Sequence, residues 1–139
     1  MNRKISCFLF ILLFFFFTLP VNAAKMDVGY LNRQKVLSNY PGIQDTVKTI
    51  EEQRQAAQQE YDEKSKNMSD EDKFRLNDEI AIRVAQQEAQ IMNPIAEKIN
   101  MAIIKVAKDN KMKQVFDAEI VIHGGKDLTE LVIKELNEK

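Results

Sequence analysis

Residues 91–106 read IMNPIAEKINMAIIKV. In a helix, the apolar side chains of this stretch would fall on almost every face, which indicates a helix buried on more than one side. Pro94 lies inside it, and an internal proline removes one backbone hydrogen bond and clashes with the carbonyl four residues earlier. We therefore expect a kink between Gln90 and Pro94. We place the boundary between a projecting arm and a small body there, and expect other copies of the chain to help cover the apolar faces.

The stretch before this boundary has the composition of two long helices. Between Gly42 and Gly124 lie 81 residues with a single proline, rich in Gln, Glu, Lys and Ala, which favour helices. Apolar residues recur at steps of four and three, as in a coiled-coil seam, with polar side chains at some seam positions. The first helix has the seam Ile43, Val47, Ile50, Arg54, Ala57 and Tyr61. The second has Phe74, Ala81, Val84, Ile91, Ile95 and Ala102, interrupted by Asn77, Glu88 and Lys98.

A turn at residues 66–72 separates the two helices. Ser69 suits a helix N-cap, with Asp72 three residues later and acidic residues in the first turn. The second helix should run from about Asp70 to about Asn110, and two long helices joined by a short turn fold back as an antiparallel hairpin. Because its distal part is nearly all polar, the hairpin should be a slender, flexible arm.

The predicted fold class is α+β, with the long hairpin arm projecting from a small β-rich body. The arm comprises residues 43–90 with its tip near 67–69, and the body comprises residues 24–42 and 91–139. The body should contain strands at residues 26–31, 111–117 and 119–123. A closing helix should span residues 130–137, capped by Asp127 or Thr129.

The N-terminal segment is typical of an export signal. Residues 1–23 hold two cationic residues, an apolar run and six of the eight Phe, followed by small residues before Ala23. The apolar run is about 15 residues, shorter than the roughly 20 that a membrane-spanning helix needs. We predict cleavage after Ala23, or alternatively after Ala24, and a mature protein that works in the periplasm.

The remaining 116 residues argue against several classes of protein. They hold 18 Lys and Arg against 21 Asp and Glu, a net charge of −3, and no Cys. A basic nucleic-acid binder and a disulfide framework are therefore not expected. His123 is the sole histidine, and no nucleophile–base pair, metal cluster or phosphate loop accompanies it. We predict neither an enzyme nor a cofactor.

Four stretches carry a resemblance to a known family. They are Val28–Leu37, Pro94–Lys108, Val115–Asp117 and Asp127–Leu136. In this order the chain resembles the Skp/OmpH family of periplasmic chaperones over its whole mature length. The resemblance implies a homotrimer with one shared β-rich core and three arms around a central cavity. It also implies ATP-independent holding of unfolded outer-membrane proteins in that cavity, which prevents their aggregation. The arms look short for the family, so a smaller cavity is expected.

Two sets of residues are predicted to carry this function. Arm residues that contact the client, or pack inside the hairpin, are Ile43, Val47, Ile50, Tyr61, Met68, Phe74, Ala81 and Val84. Body and trimerisation residues are Val28, Tyr30, Ile95, Ile99, Ala102, Ile103, Val106, Val115, Phe116 and Val121.

Two alternatives stay open. The lysines Lys105, Lys108, Lys111 and Lys113 suit the C-terminus of a helix, or contact an anionic lipid or lipopolysaccharide. The whole protein could instead be a structural or adaptor module of the cell envelope that binds one defined partner through its coiled-coil arms.

Overall fold

The computed structural model describes residues 27–138. The predicted signal peptide and its cleavage position lie outside the described residues. The elements are β1 (Val28–Leu31), α1 (Arg33–Ser38), α2 (Ile43–Lys64), α3 (Asp70–Asp109), β2 (Gln114–Asp117), β3 (Lys126–Asp127) and α4 (Thr129–Asn137), with short 3-10 turns at Ser65–Asn67 and Ala118–Ile120. Within residues 27–138, none of the helices is long and apolar enough to cross a membrane.

The two long helices form the predicted hairpin. Helix α2 has 22 residues and α3 has 40, and the turn at Ser65–Asn67 joins them. The Ser69 hydroxyl accepts the backbone N–H of Asp72 at 3.2 Å and donates to the Asp72 carboxylate at 2.7 Å. This satisfies one of the unpaired N–H groups at the helix start, and the predicted N-cap is confirmed.

Helix α3 extends from the tip of the arm into the body as one element that runs through Pro94. Its buried side chains in the body recur at steps of four and three and are Ile95, Ile99, Ala102 and Val106. Within one chain α3 therefore buries a single face, while Met101 and Ile104 stay exposed. The kink near Pro94 and the covering of the exposed faces by other copies stay predictions.

The sheet has three parallel strands in the order β2-β1-β3. Tyr30 pairs with Phe116 on one side and with Asp127 on the other. The prediction of a strand at residues 119–123 is wrong, since a 3-10 turn at Ala118–Ile120 and irregular backbone take its place. Both edges of β1 are already occupied, so this segment has no place beside β1. Val121 is half-buried, but it is not on a strand.

The core of the body lies between the sheet, α1, α3 and α4. Its buried members are Leu31, Val36, Ile43, Ile95, Ile99, Ala102, Val106, Leu128 and Val132. Gly29 and Leu31 are the buried residues of β1, whereas Val28 and Tyr30 lie on its other, half-buried face. A Cβ at Gly29 would lie only 2.7 Å from Cδ1 of Leu128, so the close approach of β1 to Leu128 requires glycine.

A buried polar contact fixes the start of α4. The Asp127 carboxylate accepts the backbone N–H of Thr129 at 2.8 Å and its hydroxyl at 2.6 Å. The Thr129 hydroxyl oxygen in turn accepts the backbone N–H of Asn32 at 3.0 Å. Of the two predicted caps, Asp127 is thus the one whose side chain satisfies a backbone N–H of the helix, while Thr129 links α4 to the start of α1.

Replacement of Lys111 by Gly should stabilise the protein. Lys111 has a φ of +59°, and the bonds from Met112 N–H to Ala107 O and from Lys111 N–H to Lys108 O form a Schellman motif at the end of α3. Glycine relieves the left-handed strain but adds freedom to the unfolded chain, so the net gain should be about 0.5–1 kcal/mol. Urea denaturation measures it, with Lys113→Gly as the control. No gain for the Lys111 variant would contradict this account.

Candidate functional site

The arm has little hydrophobic interior. Between residues 44 and 90, Ile80 is the one buried side chain. Ile50, Tyr61 and Val84 are half-buried between the helices. Ile80 was missed from the sequence because the predicted stripe passed through its smaller neighbour Ala81, and the larger side chain of the two takes the interior position. The helices are therefore held together by little apolar burial along the arm.

The structure changes the interpretation of several predicted client-contacting residues. Ile43, predicted either to contact the client or to pack inside the hairpin, is buried in the core of the body. Phe74 is 67% exposed and does not belong to the inner stripe that the spacing predicted. Val47 and Met68 are also exposed. Ile82, which the sequence analysis did not single out, is 59% exposed.

Phe74 and Ile82 lie on the outer side of α3. At 100° per residue, both point away from the direction of the buried Ile80. An exposed apolar residue is common by itself, but these side chains stand on an arm with almost no core of its own. The arm thus presents large apolar side chains on its outer side.

An open cleft of about 330 Å³ runs between the two arm helices. Small and apolar side chains line part of it, and these are Ala57, Tyr61, Ile80, Ala81, Val84 and Ala85. The polar residues Arg54, Gln58, Asn77 and Glu88 complete the lining. The predicted client residues Tyr61, Ala81 and Val84 therefore meet in this cleft.

Two ion pairs connect α2 to α3 across the arm. Arg54 donates to both carboxylate oxygens of Glu88, at 2.6 and 2.9 Å. Arg83 donates to both oxygens of Glu60, one at 3.3 Å, and Lys64 donates to Glu60 at 2.7 Å. Forked Arg–carboxylate pairs of this kind are stronger and more directional than ordinary surface pairs. Arg54 and Glu88 were polar positions of the predicted seam, and the structure pairs them.

The ion pairs make the arm sensitive to acid. Hydrogen bonds from Lys64 and Arg83 hold the pKa of Glu60 below its ordinary 4.5, and a hydrogen bond from Arg54 does the same for the pKa of Glu88. A carboxylate with a lowered pKa contributes stability that is present above 4.5 and is lost as the pH falls through its lowered value. The arm should therefore loosen below about pH 4.5.

Circular dichroism during an acid titration measures this loosening as a loss of helix signal. In the double variant Glu60→Gln/Glu88→Gln, the loss of helix signal that comes from protonation of these two carboxylates should be absent, because neither carboxylate is present. An identical acid response in the variant and the unmodified protein would exclude these two groups as its cause.

The body exposes apolar side chains on the outer face of the sheet and in the loop after β2. Val28, Tyr30 and Phe116 lie on the same face, and Phe116 is exposed. Beyond β2, Ile120 is 68% exposed and Ile122 is fully exposed. We name Val28, Tyr30, Phe116, Ile120 and Ile122 the open face. Among the predicted body residues, Ile103 and Val115 pack against the core instead.

A second cleft, of about 510 Å³, lies between the α1–α2 loop, α3 and α4. Tyr40, Met101 and Leu136 form apolar parts of its wall, and Lys98 and Lys105 stand at its edge. Lys105 is paired with Glu135 of α4, which raises the pKa of the lysine. One member of the predicted lysine cluster thus already has a carboxylate partner inside the chain.

Metal-ligating side chains do not converge in the described part of the chain. Among residues 27–138, no group of three or more His, Cys, Asp or Glu side chains could hold a metal ion. His123 is exposed in the irregular segment before β3.

The comparisons with known proteins agree with the sequence resemblance. Residues 75–136 match the family model described as OmpH, outer membrane protein (OmpH-like). The match covers most of α3, the body elements that follow it, and nearly all of α4. No curated protein matches the chain. The resemblance to the Skp/OmpH family is confirmed over these residues.

Proposed function

We propose, from the OmpH-like match over residues 75–136, that this protein is an ATP-independent periplasmic chaperone. It holds unfolded outer-membrane proteins in a cavity between helical arms and prevents their aggregation. The observation that carries the proposal is the arm itself, a long two-helix hairpin with one buried apolar side chain and several exposed ones. Such an element is poorly suited to a catalytic site, and well suited to weak contact with many sequences.

The exposed arm residues fit an unfolded apolar client. Val47, Met68, Phe74 and Ile82 are spread along both helices and the tip, so no single deep pocket selects one ligand. Flexible and polarizable side chains such as Met adapt to different partners. Several weak contacts around one cavity add up because each raises the effective concentration for the next. Release needs no nucleotide, since folding of the client into the membrane removes it.

The cavity requires more than one copy of the chain. We propose a homotrimer in which the open face of each body is covered by the neighbouring copies. The support is that one chain leaves Phe116, Ile120 and Ile122 exposed, together with Met101 and Ile104 on α3. A small body gains much from sharing a core. The three arms would then surround the client, in the periplasm after removal of residues 1–23.

Suppression of aggregation tests the function. An outer-membrane barrel protein diluted from urea scatters light as it aggregates, and the signal-free chaperone should prevent this at a stoichiometric ratio without ATP. Persistent scattering at every ratio would contradict the proposed activity.

The double variant Phe74→Ser/Ile82→Ser should be a weaker chaperone. Each substitution removes an exposed apolar contact while leaving Ile80 and the ion pairs in place, so helix content should not change. We expect an apparent affinity for the client that is roughly three- to tenfold lower, from light scattering at graded chaperone concentrations. Gln86→Ser/Gln87→Ser, at exposed polar positions of the same helix, is the matched control. Equal effects of the two double variants would show that the apolar contacts are not used.

A structural or adaptor module is the second candidate. The thin interior of the arm favours it, since such a hairpin could become ordered against one folded partner. It predicts a single defined partner in pulldown experiments and no general protection of unfolded barrels. The aggregation assay therefore separates the two functions.

A further inference from the structure

We propose that the ion pairs Arg54–Glu88 and Glu60–Arg83 act as two clips that keep the arm closed, and that their release opens the distal hairpin. The opening would expose the inner side chains Tyr61, Ile80 and Val84 to a client, an inference that rests on the proposed chaperone function. The arm would thus have a closed and an open state, and the charges of the two ion pairs would set the balance between these states.

The geometry places both clips where little else holds the helices together. Each clip joins α2 to α3 through an arginine fork on a carboxylate, and the partners are 34 and 23 residues apart in sequence. Arg83 and Glu88 both follow Ile80 along α3, so the two clips lie on the body side of Ile80, the one buried side chain between residues 44 and 90. The open cleft between the helices lies in the same region. With so little apolar burial, loss of the charge pairs should weigh heavily on the closed state.

The order of the charges fixes the register of the hairpin. In the first clip α2 provides the arginine and α3 the carboxylate, and in the second these roles are reversed. A slip of one helix along the other would bring arginine toward arginine or carboxylate toward carboxylate, which is unfavourable. The clips therefore define one closed arrangement rather than a general attraction between helices.

A polar group near the first clip indicates incomplete packing. The side-chain oxygen of Gln53 is buried, and it has no hydrogen-bond partner within residues 27–138. Leaving a buried polar atom unpaired is unfavourable, and opening of the arm would return this oxygen to water. The closed state is thus destabilised at the residue next to Arg54, as expected of an element that opens.

Spin labels at Glu63 and Glu79, exposed residues on opposite helices of the arm, report on the opening. Double electron–electron resonance should give one narrow distance distribution for the unmodified arm and a distribution about twice as broad, shifted to longer distances, for Arg54→Gln/Arg83→Gln. Arg75→Gln is the matched control, since Arg75 pairs with Asp72 of its own helix. A salt concentration of about 1 M should broaden the unmodified distribution but leave the double variant unchanged, because salt screens exposed charges.

The exchanged pair Arg54→Glu/Glu88→Arg keeps the opposite charges but reverses their positions. It therefore tests whether the contact depends on its charges or on the particular side chains at these positions. It should restore a narrow distribution when the second clip is intact, whereas Arg54→Glu alone should not. If the distribution of distances between the spin labels is unchanged in Arg54→Gln/Arg83→Gln and also at high salt, then the two ion pairs do not keep the arm closed. The distances are measured without client, so failure of the aggregation assay alone would reject the proposed function and leave this result standing.

Discussion

Replacement of Leu128 by Ala should lower the free energy of unfolding by about 3–4 kcal/mol, within the range for a Leu→Ala change that leaves a cavity. Leu128 is fully buried and lies where three elements meet. Its backbone N–H donates to Tyr30 O of β1 at 2.8 Å, and its side chain fills the space against Gly29. The residue also precedes Thr129, where α4 starts. Because the surrounding backbone is held by these bonds, it cannot collapse to fill the cavity.

Urea denaturation at a fixed chain concentration measures this loss, since assembly makes the stability of an oligomer depend on concentration. Leu131→Ala is the matched control: the same chemical change, three residues further along, at a side chain that is 38% exposed. The Leu131→Ala substitution should lower the free energy of unfolding by less than about 1 kcal/mol. Similar losses for the two variants would mean that Leu128 is not the centre of the core.

The double variant Ile120→Asp/Ile122→Asp should dissociate the assembly into single chains. Both side chains are exposed in one chain and belong to the open face, so aspartate costs the isolated body little. In the proposed trimer they are covered, and burying two unpaired carboxylates per chain is strongly unfavourable. The mass from light scattering after size exclusion should therefore fall threefold, while the helix signal is kept.

Ile82→Asp is the control for this experiment. It places the same charge at an exposed isoleucine on the arm, away from the open face, and should leave the mass unchanged. If Ile120→Asp/Ile122→Asp has the same mass in solution as the unmodified protein, then the contact between copies lies outside the open face. A mass of one chain in the unmodified protein would exclude the shared body and favour the adaptor module.

Local chemistry explains which parts of the fold could be predicted. The two helices, their turn and the Ser69 cap depend on residues close in sequence, and they were predicted to within one or two residues. Arg54 and Glu88 also fell on the predicted seam. The pairing of the strands depends instead on contacts between residues that are far apart. The segment 119–123 has the alternation of a strand, but the occupied edges of β1 leave it no partner beside that strand.

The side chains of the arm likewise show that local sequence predicts some features, whereas others depend on contacts between distant residues. The spacing predicted a seam, but it could not tell which of the adjacent Ile80 and Ala81 points inward, or that Phe74 points outward. Ile43 begins the arm in sequence and nevertheless belongs to the core, because the start of α2 still lies against the body. The assignment of Tyr61 or Val84 to client contact stays a prediction.

Native mass spectrometry of the signal-free protein mixed with a urea-denatured outer-membrane barrel reports the number of chains and of clients in one complex. We expect one dominant complex with three copies of this chain and one client, formed without ATP. A chain that stays monomeric and leaves the client unbound would contradict the proposed trimeric chaperone.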